Sequence, residues 1–174
     1  MNWNKNIVSV WMLTLLMVTV HSCSVSMGFA PISSIDYNKV KTISITEFQN
    51  RAEYVYAPMA PTFNQSLKDL FTRQTKLRQV AANADLEIDG EITGYNQYNE
   101  SVDASGMASK VKVTMTVNVR YVNNTNHNED FEKSFTASQL FEATQLLTDV
   151  QDDLINLMVK DITEQIFNAT VANW

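Results

Sequence analysis

Cysteine, histidine and glycine are all scarce in this 174-residue chain, and each scarcity closes a route. Cys23 is the single cysteine, so no disulfide can form within the chain and stability must come from packing. The two histidines are His21 and His127, and the second stands alone in an Asn-rich turn, which argues against a transition-metal site. The four glycines are scattered, with no phosphate-cradling loop and no Gly-x-Ser-x-Gly elbow, and no nucleophile and base can be paired for a hydrolase. Cations are outnumbered, 13 Lys and Arg against 19 Asp and Glu, for a net charge of −6. Such a chain is a poor general binder of nucleic acid or of anionic membrane surfaces. The apolar run Ile7 to Val20 holds fourteen residues. As a helix it reaches only ~21 Å, short of the roughly 30 Å hydrocarbon core that a span must cross.

What is present begins with that run. A polar n-region with Lys5, the apolar stretch and then Val20-His21-Ser22-Cys23 form the layout of a lipoprotein export signal, with cleavage before Cys23 and diacylglycerol on its thiol. Residues 1–22 are read as the signal peptide, 23–38 as a lipidated tether and 39–174 as one domain. Two or three acyl chains, at ~0.8 kcal/mol per buried CH₂, anchor durably. The processed chain has 174 − 22 = 152 residues and, without Lys5, 12 cations against 19 anions, a charge of −7.

Within the domain, Val40 to Thr46 alternates as a strand, with Ile43 and Ile45 on one side. Glu47 to Pro61 lacks periodicity and reads as a loop. Thr62 and Gln65 form a Thr-x-x-Gln capping box, so a helix is expected from there to about Arg78, with Phe63, Leu67, Leu70, Phe71 and Leu77 on its apolar face. Ala84 to Tyr95 alternates, Leu86, Ile88, Gly90, Ile92 and Gly94 facing inward and Asp85, Glu87, Asp89 and Glu91 outward. Those four carboxylates read as a solvated face, not a catalytic pair, since nothing nearby would separate their pKa values. Lys110 to Val122 alternates over thirteen residues, Val111 to Tyr121 inward, and the polar stretch Asn96 to Ser109 before it reads as a long connection. Glu129 to Ala137 forms the next strand, with Phe131 and Phe135 inward. Thr148 and Gln151 suggest a second capping box, and Val150, Leu154, Met158, Ile162 and Ile166, with Leu157 beside them, line a helix to about Val171.

The expected fold is therefore α+β, a two-layer sandwich of a four-stranded mixed sheet with both helices on one face, in the order β-α-β-β-β-α. The other face stays polar. Lys110, Lys112 and Arg120 put positive charge on that polar face. Cross-strand pairing with the carboxylates and contact with an anionic ligand, such as a phosphorylated lipid head group, account for them equally well.

The runs ISITEFQNRA (Ile43 to Ala52), TFNQSLKDLFTRQT (Thr62 to Thr75), ADLEIDGEITGY (Ala84 to Tyr95) and IFNATVANW (Ile166 to Trp174), in this order after the lipoprotein signal, resemble the LptE-type lipopolysaccharide-assembly lipoproteins, in the branch found in Bacteroidetes. The resemblance implies a non-enzymatic outer-membrane lipoprotein without cofactor, facing the periplasm. It implies a β-barrel partner, LptD, whose lumen the domain plugs while helping to deliver lipopolysaccharide, and no residue-by-residue ligand contacts. The alternative is a free periplasmic lipid-binding lipoprotein or carrier, which needs an apolar cavity of several hundred Å³.

Overall fold

The computed structural model describes residues 35–171 apart from residues 55 and 103–107. Six strands and two helices follow one another as β1 (Thr42–Ile45), β2 (Gln49–Asn50), α1 (Met59–Gln74), β3 (Arg78–Gln79), β4 (Leu86–Val102), β5 (Ala108–Asn123), a 3₁₀ turn (His127–Glu129), β6 (Phe131–Glu142) and α2 (Leu147–Thr170). The fold is α+β with a mixed sheet, as expected. The sheet has six strands and not four, and the chain order is β-β-α-β-β-β-α.

The two additional strands are two residues each, too short to show a period. β1 pairs parallel with β3 on one side and β4 on the other. β2 continues along the same edge of β4, but the register advances from Ile45↔Ile88 to Gln49↔Glu91. Four residues on one strand thus oppose three on the other. The surplus lets the Phe48 side chain turn into the core, where it lies over Gly90. A Cβ on Gly90 would stand 2.6 Å from the Phe48 ring and 2.1 Å from the Asn118 carbonyl oxygen, so only glycine fits. The space above Gly90 is thus filled from the segment read as a loop.

Neither helix uses a side-chain cap. α1 starts earlier than Thr62: Pro58 holds the N-cap position with helical angles, the Thr62 N–H donates to its carbonyl, and Pro61 sits in the first turn. There its missing N–H costs nothing. The helix stops at Gln74, not Arg78, because Thr75 is extended while its N–H and hydroxyl donate to Phe71 O at 3.0 and 2.7 Å. Arg78 then pairs with β1. In α2 the Gln151 side chain turns inward, to the Tyr95 hydroxyl, instead of back to the helix start.

β5 carries the expected face: Val111, Val113, Met115, Val117, Val119 and Tyr121 are all buried. Both helices bury their stripes in the same core and meet each other, with Phe71 and Phe167 edge to face at 5.2 Å. On α2 the stripe widens through Ile155 and Val159, while Leu157 lies on the opposite flank, 49% exposed. β4 shifts register between Ile92 and Gly94, leaving Thr93 as the extra residue. From there the faces exchange, so Tyr95 is buried and Gly94 stands opposite Thr116 on the open side. The stretch Asn96 to Ser109 is mostly strand: β4 runs to Val102 and β5 begins at Ala108, paired antiparallel.

Candidate functional site

The open sheet face is the surface on which the cations were expected, and it is a polar lattice across three strands. Thr114 and Ser138 share a hydrogen bond at 2.9 Å, Thr116 and Thr136 one at 3.2 Å, and Ser134 donates to Asn118. Arg120 lies between Asp89 and Glu132 in the strand register and is 3.8 Å from the Asp89 carboxylate. Lys110 pairs with Glu142 at 3.7 Å and Lys112 with Glu100 at 3.6 Å. All three cations therefore have cross-strand partners, though only Asp89 belongs to the carboxylate run of β4 that the sequence pointed to. These pairs are solvent-exposed, and such pairs contribute about 0–1 kcal/mol each, so they leave the cations free to exchange partners.

Two residues that the sequence did not single out complete the patch. Register places Tyr98 and Leu140 on either side of Lys112, and they are 55% and 50% exposed. An aromatic, a cation and an aliphatic side chain thus form one row across three strands. The bulge at Thr93 puts Tyr98 on this face, and a bulge leaves no period to read.

Asp85, grouped by the sequence with the solvated carboxylates, is structural. Its carboxylate accepts the Lys41 and Thr42 N–H groups at 2.8 and 2.9 Å and the Thr42 hydroxyl at 2.9 Å, tying β1 to β4. The Lys41 amide, followed by the Thr42 hydroxyl, holds its pKa below the ordinary carboxylate value. His127 is exposed in the turn, 3.0 Å from Asp130. Cys23 lies outside the described residues. Among the described residues no group of three His, Cys, Asp or Glu is arranged to hold a metal ion, and no helix is long and apolar enough to cross a membrane.

On the covered side, a cleft of about 510 Å³ opens where α2 begins. Tyr54, stacked on Tyr95 with centroids 5.6 Å apart, lines it with Leu146, Leu147, Glu53 and Gln97. Burial raises the Tyr95 pKa above the ordinary phenol value.

One helix-covered sheet face with a partly open cleft beside the start of α2, and one hydrated face of paired charges and hydroxyls, describe a binding or assembly domain built around a single α+β core. A family comparison makes this specific: residues 40–170 match the model of the family described as LptE, lipopolysaccharide-assembly. The chain belongs to that family. No curated protein sequence matches it. Among solved structures it is similar to a minor lipoprotein from Acinetobacter baumannii, at 14% identity over 73% of this chain and 89% of that one, with a TM-score of 0.50. It is also similar to the rare lipoprotein B from Shewanella oneidensis, at 10% identity over 74% and 92%, TM-score 0.53. A hypothetical protein from Chlamydia trachomatis matches at 12% identity over 73% and 93%, TM-score 0.54. At these identities the likeness is one of fold.

Proposed function

We propose that this chain is an outer-membrane lipoprotein, acylated at Cys23 and facing the periplasm, that plugs an LptD-type β-barrel and assists lipopolysaccharide transport without catalysing a reaction. Membership of the lipopolysaccharide-assembly family supports the process. The observation that carries the plug itself is the open sheet face. A surface of Ser, Thr, Asn and paired charges is suited to a water-lined barrel lumen, which presents polar side chains inward.

Lys110, Lys112 and Arg120 are the proposed contacts to the barrel wall or to an anionic lipid head group, with Tyr98 and Leu140 packing beside Lys112. Their exposed ion pairs can be traded for phosphate or for lumen carboxylates at little cost. Ile35, which packs against the core, is twelve positions after Cys23, so the tether would reach ~40 Å if extended.

Affinity purification from detergent-solubilised outer membrane tests the reading. An LptD-type barrel recovered in stoichiometric amount supports it, and the chain recovered alone from the same membranes refutes it. Cys23→Ala should release the protein from the membrane fraction. The carrier alternative rests on the cleft beside Tyr54 and Tyr95, and lipid co-purifying with the barrel-free protein and lost on Tyr54→Ala would favour it.

A further inference from the structure

β6 is an edge strand, and its outer side has no backbone partner strand among the described residues. Ala143 N–H donates to Ser109 O beside β5 at 3.2 Å, whereas the Thr136 carbonyl accepts the Gln165 side chain of α2 at 3.3 Å. An antiparallel ladder alternates by two, so odd-numbered residues of β6 pair with β5 and Ser134, Thr136, Ser138 and Leu140 turn their amides and carbonyls outward. Soluble proteins guard such edges with charge, proline, a bulge or a covering segment. Here Ser134 to Phe141 contains no charged residue, no proline and no glycine, and its register with β5 runs without a shift from Lys110↔Glu142 to Tyr121↔Phe131. Among the described residues the edge is long, regular and without a partner strand, with the Gln165 side chain on its Thr136 carbonyl.

We infer that two copies of this chain pair edge to edge through β6, antiparallel about a two-fold axis at Thr136, with the Gln165 side chain yielding the Thr136 carbonyl to the Thr136 N–H of the second copy. Opposed residues in an antiparallel pair share a sheet face, which leaves two registers centred on the strand. The one centred on Ala137 sets Glu132 against Glu142 of the second copy, twice, and is disfavoured by like charge. The one centred on Thr136 sets Glu132 against Leu140 and Ser134 against Ser138. It also brings Lys133 opposite Gln139 of the second copy, whose amide is 3.5 Å from the Asp161 carboxylate on α2. Lys133 and Asp161 are both exposed in the single chain, so each copy supplies the charge that the other lacks there.

Packing of the second layer agrees. α2 contacts both β5 and β6, and β6 the more, so its axis lies over the β6 side of the sheet. With strands about 4.8 Å apart, two such helices across the new pairing lie no more than about 10 Å apart, so they would pack directly on each other. The same edge cannot be self-paired and enclosed in a lumen at once, so the pair is a state of the chain outside its barrel and does not depend on the barrel reading.

The test uses the full chain with Cys23→Ser, purified in detergent, carrying Thr136→Cys as its only thiol. Oxidation should convert it to a disulfide dimer, while Ser134→Cys alone should not cross-link and an equimolar mixture of the Ser134→Cys and Ser138→Cys chains should. By sedimentation, Lys133→Asp should weaken self-association about fivefold or more, and adding Asp161→Lys should restore it. A folded chain that sediments as a monomer at about 100 µM, or one whose Thr136→Cys form and Ser134/Ser138 mixture both stay uncross-linked, overturns the proposal.

Discussion

Asn64 offers the sharpest test of how this core is held. Its side chain is buried in α1 and meets both backbone groups of Phe48: Nδ2 donates to the Phe48 carbonyl at 3.1 Å, and the Phe48 N–H donates to Oδ1 at 2.9 Å. Between β1 and β2 the amide thus does for Phe48 what a neighbouring strand would do. Asn64→Ala removes both partners while Phe48, 1% exposed, stays buried. Each orphaned buried backbone group costs about 1–3 kcal/mol, so the loss of both should be about 2–6 kcal/mol. With a urea slope of about 2 kcal/mol per molar, the unfolding midpoint should fall by about 1–3 M at unchanged slope. Asn128→Ala, in the exposed turn, is the control and should change stability by less than about 0.5 kcal/mol. If the Asn64→Ala midpoint matches that of the control, the amide is not what secures Phe48 and the account of the β1 to β2 interruption is wrong.

Four other outcomes follow from the same contacts. Because the Asp85 pKa is lowered in the folded state, its contribution is complete above the unfolded value near ~3.9 and lost as pH falls through the lower folded value; Asp85→Asn should flatten the acid limb of a stability profile below about pH 5. Gly90→Ala should cost about 1–3 kcal/mol in urea unfolding, and trimming Phe48 to Leu should not recover it, since the nearer obstacle is the Asn118 carbonyl. Tyr95→Phe leaves the buried Gln151 amide without its acceptor, 3.1 Å away in the parent, and should lower stability by about 1–3 kcal/mol with no change in the far-ultraviolet spectrum. Replacing Lys110, Lys112 and Arg120 together by Ala should alter stability by no more than about 1 kcal/mol per exposed pair yet reduce recovery of the barrel or of anionic glycolipid, a loss that an unchanged pull-down would contradict.

Legibility followed regularity. β5 could be read residue by residue because its alternation runs unbroken and its inner face is buried throughout. The helix stripes could be read for the same reason, although Leu157 shows that apolar character alone does not place a residue on the buried flank. The misread points are those where one residue is added or a polar side chain has a distant partner. Thr93 exchanges the faces of β4 and makes Gly94 and Tyr95 trade places. Gln151 has a local explanation in the sequence, a capping box, and Asn64 has none, and their partners are 56 and 16 residues away. The cations were placed correctly on the open face, but two of their partners, Glu100 and Glu142, depend on β4 and β6 running further than their apolar patterns do.

The bulge and the end of the β1 and β2 edge coincide, and this sets the shape of the distal half. β2 last pairs at Asn50↔Ile92, and the next residue of β4 is the inserted Thr93. Beyond it β4 has lost its neighbour and becomes the sheet edge, so Asn96 to Glu100 are all exposed while Val111 and Val113, opposite them on β5, stay buried under α2 and the Phe141 region. Turning Tyr95 inward at that point closes the core, with Tyr54 stacked outside it and Gln151 holding its hydroxyl. Restoring even alternation by deleting Thr93 would send the Tyr95 ring to the open face, uncover Val113 and strip the cleft of its wall. It would also turn Tyr98 away from Lys112, so one inserted residue governs both the closure of the core and the makeup of the exposed patch.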